Sequence, residues 1–369
     1  MLKKFAVTNY RGFANRIELN LSNPNNYSFN QFAIAGGIVK NGIIYGPNGA
    51  GKSNLGLALF DIAYHLAPLK AKKVDYYNNY VYAGDAGRLV EFEYVFDFDG
   101  QCVEYTYAKN AGGVLQKETL VLNGDLVFSR NGNEFSVNSR YFSNAASIKS
   151  DFLDNANGVS IVNYFLAFYP LDRDNYLLKL RAFVNGMLWF ASLEGREFIG
   201  VESKANGNIE EFIISNGLVP DFADFLERVS GQRFNFIKPK KGDTTLWYEV
   251  GRSRLLFCMT VSTGTRSLEL LYFWLKHMKE TTFVFIDEFD AFYHFQLSYN
   301  ICTELFKLPC QLFLSSHNTY LMTNDLLRPD CNFILNNGIV KSLSDCTDKE
   351  LRFGHNIEKI YRAGAFYDE

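Results

Sequence analysis

Between about Leu89 and Val137 apolar and polar positions alternate, with Val90, Phe92, Tyr94 and Phe96 two apart, and the run is cut at Asp99-Gly100, Gly112-Gly113, Asn123-Gly124 and Asn131-Gly132. A period of two between glycine-containing turns predicts an antiparallel β-meander. The stretch from Leu2 to about Leu21 has the same period: Phe5 and Val7, then Ile17, Leu19 and Leu21, predict a β-hairpin around Asn9-Tyr10-Arg11-Gly12-Phe13. A short apolar run, Gly42-Ile43-Ile44-Tyr45, reads as a strand, and from Ser53 to about His65 the recurrence becomes helical, with Pro68 just beyond the expected end. From about Ala145 to Arg228 the text changes to mixed apolar helices (Tyr164–Phe168, Leu177–Leu188, Phe222–Val229), read as a mostly helical insertion without sustained heptads. Leu268, Leu271, Trp274 and Leu275 mark an amphipathic helix, and Thr281–Ile286 and Gln311–Leu314 are further buried-strand runs.

Chemistry enters where these elements meet. The strand at Gly42–Tyr45 runs into Gly46-Pro47-Asn48-Gly49-Ala50-Gly51-Lys52-Ser53, a complete phosphate-cradling P-loop between strand and helix. Glycines let the backbone wrap a β-phosphate with its N–H groups inward and deliver the anion to the positive end of the next helix. In this reading Asn48, Gly49, Gly51 and Asn54 shape the nucleotide site, Lys52 bridges the β- and γ-phosphates, and Ser53 ligates Mg²⁺.

The run Thr281–Ile286 ends in Asp287-Glu288, the build of a Walker B segment. Asp287 is placed to hold Mg²⁺ through water and Glu288 to polarise an attacking water as general base. Leu314 leads into Ser315-Ser316-His317-Asn318. A His at a strand end is often a satisfied structural residue; at this remove after Walker B it fits a γ-phosphate sensor. Val261-Ser262-Thr263-Gly264-Thr265-Arg266 precedes the amphipathic helix and offers either a simple Ser/Thr cap or a second anion site at a helix N-terminus.

Bulk properties narrow the partners. At 369 residues the chain exceeds the ~250–300 at which one core stops growing. We expect an ATPase lobe over 1–144 with P-loop and meander, a mostly helical insertion over 145–250, and a second ATPase lobe over 251–369 with signature, Walker B and switch His. No apolar run approaches the ~18–20 residues of a membrane span, and the first ten residues turn polar too soon for a secretory signal. A cytoplasmic location is expected. Six cysteines without a C-x-x-C pair read as free thiols rather than a zinc or disulfide framework. A net charge of −3 gives no global attraction to nucleic acid. Small basic clusters at Lys70, Lys72 and Lys73 and at Lys238, Lys240 and Lys241 read as solvated faces or as local nucleic-acid contacts.

The order P-loop, Ser262-Thr263-Gly264-Thr265, Asp287-Glu288-Phe289-Asp290 and Ser316-His317 resembles the ABC-type ATPases, in the branch shared by RecF, SMC heads and the overcoming-lysogeny family. Asn9-Tyr10-Arg11-Gly12-Phe13 resembles that branch's N-terminal element, whose Arg often reaches the nucleotide. Leu351–Asn356 and Tyr361–Phe366 are similar to the tails of small bacterial AAA-annotated ATPases, several of them encoded beside effector genes in phage-defence systems. The resemblance covers roughly Met1–Ser53 and Ser262–Asn318. It implies an α/β P-loop NTPase with an ABC-type head: a mixed sheet around the P-loop helix, an antiparallel β-meander and a helical insertion. It further implies a head-to-tail ATP dimer in which Ser262 and Gly264 of one chain meet the γ-phosphate held by Lys52 of the other and Asp290 lies in the crossing loop. Two departures stand out. The signature is Ser-Thr-Gly-Thr-Arg rather than Ser-Gly-Gly-Gln, and no Gln lies between Gln31 and Gln101 to serve as a Gln-loop, which implies a slow or partner-stimulated ATPase.

The functional expectation is an ATP- and Mg²⁺-dependent dimerising ATPase that controls a separately encoded effector such as a nuclease or toxin, in anti-phage defence. The competing readings are a nucleotide-dependent scaffold that needs no turnover and a RecF-like DNA-repair ATPase; a transporter subunit fits the N-terminal Arg11 element and the large insertion poorly.

Overall fold

Two seven-stranded sheets share one hydrophobic core in the computed structural model, which describes residues 1–66, 78–142, 148, 152, 159–191, 198–200 and 208–366. The first sheet is the expected meander joined to the N-terminal hairpin, in the spatial order 134–137, 125–131, 115–122, 101–109, 90–98, 2–8 and 17–20, every pair antiparallel. The hairpin turns at Asp99-Gly100 and Asn123-Gly124 are left-handed at both positions, the two-residue form that matches strand twist.

The second sheet carries the site. Its order is 198–200, 187–191, 283–287, 311–316, 41–45, 332–336 and 339–342; the five inner strands are parallel, and the outer two pair antiparallel to their neighbours. Parallel strands covered on both faces read as continuous apolar runs, and Phe283–Asp287 is buried throughout.

The P-loop helix lies between the sheets. It forms as two pieces rather than one, Lys52–Leu59 and Asp61–Leu66, with the turn broken at Phe60. On one side Gly56 sits against Phe285 and Trp189, so closely that a Cβ there would lie 2.7 Å from the Phe285 ring. On the other, Tyr94 of the meander donates its hydroxyl to the Ala58 and Leu59 carbonyls at 3.2 and 3.1 Å, drawing off acceptors where the helix breaks. Asp61 opens the second piece fully buried, accepting from Tyr80 (2.7 Å), Tyr107 (2.8 Å) and the Lys109 ammonium (2.5 Å). Glu118, also fully buried, accepts from Tyr105, Ser160 and the Ile161 N–H, and so caps the helix Ile161–Phe168. Burial pushes the Glu118 carboxyl up, and those donors pull it back.

The stretch read as helical departs from expectation. The helix expected over Leu177–Leu188 ends at Asn185, and Met187–Ala191 is a strand paired in parallel with Phe283–Asp287. Met187-Leu188-Trp189-Phe190-Ala191 is apolar at every position, and such a run has no period to separate a fully buried strand from a buried helix. Helices Ile209–Ser215 and Val219–Ser230 follow, and then a small sheet of Asn235–Phe236, Trp247–Val250 and Ser253–Leu256.

The six cysteines are free thiols. Among the described residues no helix is long and apolar enough to cross a membrane. Lys70, Lys72 and Lys73 lie outside the described residues, whereas Lys238, Lys240 and Lys241 are exposed on the rim of a cleft of about 1060 Å³ floored by Phe234 and Phe236, whose wall also carries Glu211 and Asp224.

Candidate functional site

The P-loop strand, Asn41–Tyr45, lies between Gln311–Ser316 and Asn332–Asn336, so that the loop after it opens beside the loops that follow 283–287 and 311–316. Parallel strands put the carboxyl ends of their neighbours on one edge, where open α/β sheets place their ligands. A Cβ at Gly46 would sit 2.5 Å from the Leu335 carbonyl oxygen, so a side chain there requires the backbone to move. Gly51 caps the helix at φ 103°, and a Cβ there would lie 2.8 Å from the Phe13 ring. The N-terminal Asn9–Phe13 turn therefore stands against the P-loop. Arg11 in that turn has φ 48°, donates its N–H to the Tyr80 carbonyl at 3.1 Å, and carries its guanidinium 5.6 Å from the Tyr10 ring centre. Asn48 and Gly49 form the exposed tip of the loop, and Ser53 and Asn54 are half-buried at the helix start.

Lys52 turns back over its own loop. Its ammonium donates to the carbonyls of Gly46 (3.0 Å) and Pro47 (3.3 Å) and reaches His317 Nε2 at 2.9 Å. Burial lowers its pKa, while Glu288, Asp287 and Asp290 pull it back up, so three carboxylates converge on one lysine. His317 Nε2 also stands 3.7 Å from Glu288 Oε1. The structure thus brings Lys52, Asp287, Glu288, Asp290 and His317 together from three separate stretches of chain.

Two serines set these carboxylates, and the sequence reading assigned them no role. Ser315 Oγ donates to Asp287 Oδ1 at 2.5 Å and accepts the Glu288 N–H at 2.8 Å, while the Ser315 carbonyl accepts the Phe289 N–H at 3.3 Å. Ser316 Oγ donates to Asp290 Oδ2 at 2.7 Å and accepts the Asn318 N–H at 2.9 Å. Burial raises the Asp290 pKa and the Ser316 bond opposes it. Glu288 itself has φ 46°, the left-handed region that a non-glycine residue enters at a cost. The available signal was the polar pair Ser315-Ser316 at the end of an otherwise apolar run, beside the histidine.

The helix start expected as a Ser/Thr cap or a second anion site is capped in the structure. Ser262 caps the helix Thr263–His277, accepting the Thr265 N–H at 3.2 Å, and Thr265 Oγ1 donates to Gln232 Oε1 at 3.0 Å. A Cβ at Gly264 would lie 3.2 Å from the Phe292 carbonyl, so this helix start abuts the segment after Walker B. Ser262, Thr263 and Arg266 face solvent. Phe292, Phe295 and Tyr320, from the same segment and from just beyond His317, are exposed, and the last two rings pack 5.8 Å apart.

No curated protein matches the chain. Among solved structures it is similar to the SMC head domain from Thermotoga maritima, at 16% identity over 92% of this chain and 97% of that one, with a TM-score of 0.43. It is similar also to an Smc head bound to the C-terminal winged-helix domain of ScpA (16% identity, 93% and 98%, TM-score 0.47). A third is the Smc head with an extended coiled coil bound to the C-terminal domain of ScpA from Pyrococcus furiosus (15%, 92% and 95%, TM-score 0.44). The family model described as "AAA domain, putative AbiEii toxin, Type IV TA system" matches residues 43–323, from the P-loop strand past His317, and the chain belongs to that family of ATPases.

Proposed function

We propose that the protein binds and hydrolyses ATP with Mg²⁺ in a site shared by two copies of the chain. The observation that carries this reading is the convergence of Lys52, Asp287, Glu288 and His317, with His317 Nε2 2.9 Å from the lysine and 3.7 Å from Glu288 Oε1. Lys52 exchanges its carbonyl and imidazole partners for β- and γ-phosphate oxygens, and loop N–H groups from Asn48 to Ser53 hold the phosphates. The Ser53 hydroxyl, directly, and the Asp287 carboxylate, through water, would hold Mg²⁺, for which hard oxygen donors are suited. Among the described residues no group of three or more His, Cys, Asp or Glu is arranged to hold a metal. The ion, when bound, neutralises charge on the transferring phosphoryl group. Glu288 takes the proton of the attacking water, and His317 beside it reads the γ-phosphate.

Ser262 and Gly264 are the trans contact in this reading. The exposure of Ser262, whose side chain accepts the Thr265 N–H of its own helix start, supports a role toward another molecule. Asp290 and the exposed Phe292, Phe295 and Tyr320 continue that face. The family's description as an AbiEii toxin of a type IV toxin–antitoxin system supports a place beside a second component, and we place the ATPase upstream of an effector in anti-phage defence. The test is the solution mass of Glu288→Gln by light scattering, with and without Mg-ATP. A shift from monomer to dimer that Ser262→Arg abolishes is expected; a mass indifferent to ATP overturns the shared site.

A further inference from the structure

One buried serine, through its hydroxyl and its carbonyl, serves three successive residues at the heart of the site. In the parallel ladder Ile286 is paired with Leu314, and the strand ends one residue later at Asp287. There Ser315, with no solvent exposure, takes over from the ladder: its Oγ donates to Asp287 Oδ1 (2.5 Å), accepts from the Glu288 N–H (2.8 Å), and its carbonyl accepts from the Phe289 N–H (3.3 Å). A hydroxyl has one proton to give, and this one is committed to the carboxylate. That bond fixes the carboxylate's rotation about its own axis. The bond from the Glu288 N–H holds the backbone at φ 46°, a conformation that persists only where the surroundings over-determine it. The left-handed turn is what brings the Glu288 carboxylate back to 3.7 Å from His317 Nε2.

From this geometry we propose that Ser315 is a positioning residue that couples the two acids: it orients Asp287 toward the metal and, through the Glu288 backbone, sets the general base in register with it. The proposal rests on the Mg-ATP reading of the site. It requires that removal of the hydroxyl loosen both functions together, because a single oxygen holds both. A hydroxyl that only stabilised the strand end would change stability and leave metal dependence alone. Partners of this kind, held one shell behind a metal ligand, typically change metal affinity or activity by about 10–100-fold when lost.

The experiment titrates Mg²⁺ against binding of a fluorescent ATP analogue, and against turnover, in wild type, Ser315→Ala, Ser315→Thr and Ser315→Cys. Thr keeps the hydroxyl and suits a strand, whereas Cys fills the space with a poor donor and provides a folded comparison should Ala unfold. Expected are a Mg²⁺ midpoint about 10-fold higher and a kcat about 10–100-fold lower for Ala and Cys, with Thr restoring both. Wild-type midpoint and kcat in a folded Ala or Cys variant overturn the proposal while the ATPase reading stands. Wild-type protein that shows no Mg²⁺-dependent nucleotide binding removes the ATPase reading, and this inference with it.

Discussion

The Lys52 ammonium lies 2.9 Å from His317 Nε2, and the same nitrogen stands 3.7 Å from Glu288 Oε1. In the proposed site phosphate oxygens take the lysine away from the imidazole, and His317 is left facing them. On the proposed reading, His317→Ala removes a contact to the reacting phosphoryl group while sparing the P-loop. Steady-state turnover should fall by about 10²-fold or more, and analogue binding should stay within the same order of magnitude as wild type. A proportional loss of both would make His317 a structural residue.

The lowered pKa of Lys52 should make nucleotide affinity in the proposed site depend on alkaline pH. Burial moves it below 10.5, with Glu288, Asp287 and Asp290 opposing. Bound phosphates favour the charged ammonium, so binding takes up a proton once pH passes the lowered value, and affinity falls as pH rises through the window below 10.5. The folding term has the opposite sign there: the unfolded lysine binds more protons than the folded one, so this group's share of stability rises with pH. For Asp290, raised from 3.8 by burial, the contribution is present below 3.8 and is lost as pH rises through the raised value. Calorimetry at alkaline pH in two buffers of different ionisation enthalpy checks the proton uptake directly.

Lys109 and Asp61 form a buried ion pair at 2.5 Å, with side chains 3% and 0% exposed. Lys109→Ala leaves the Asp61 charge with Tyr80 and Tyr107 but without its counter-ion, and a loss of about 3–5 kcal/mol is expected by denaturant unfolding. Since Asp61 opens the second piece of the P-loop helix, nucleotide binding should weaken with it. Replacing both partners together, Asp61→Asn with Lys109→Met, should recover much of the stability.

Gly46→Ala tests the cradle. The added Cβ meets a backbone oxygen, Leu335 O, which belongs to a strand paired on both sides and has little room to retreat. A loss of about 1–3 kcal/mol in stability together with loss of analogue binding is expected. Gly49→Ala, where a Cβ meets nothing within 4 Å but φ is 78°, should lose binding with a smaller change in melting temperature.

The parts of the site legible in the chain were those whose chemistry is local. A P-loop needs its glycines, lysine and serine within eight positions, and Asp287-Glu288 must follow an apolar strand directly, so spacing alone exposes both. The Ser315 clasp was not legible, because Ser315 lies 28 residues from Asp287 in sequence and a lone serine at a strand end has no pattern. The misread at Met187–Ala191 has the same origin. Its all-apolar run suits a helix or a doubly covered strand, and its pairing with Phe283–Asp287, nearly a hundred residues away, settled the matter.

From its own text the chain determined the meander, the N-terminal hairpin, the nucleotide loop and the two acids, since each is set by neighbours a few bonds apart through alternation, turn chemistry or phosphate geometry. Tertiary structure alone decided that Lys52, Glu288 and His317 meet, that Phe13 closes on Gly51, and that a left-handed Glu288 is held in place by a serine of the next strand. Those relations depend on which parallel strands become neighbours. That choice is made by burial of apolar faces over the whole sheet, and no local pattern carries it.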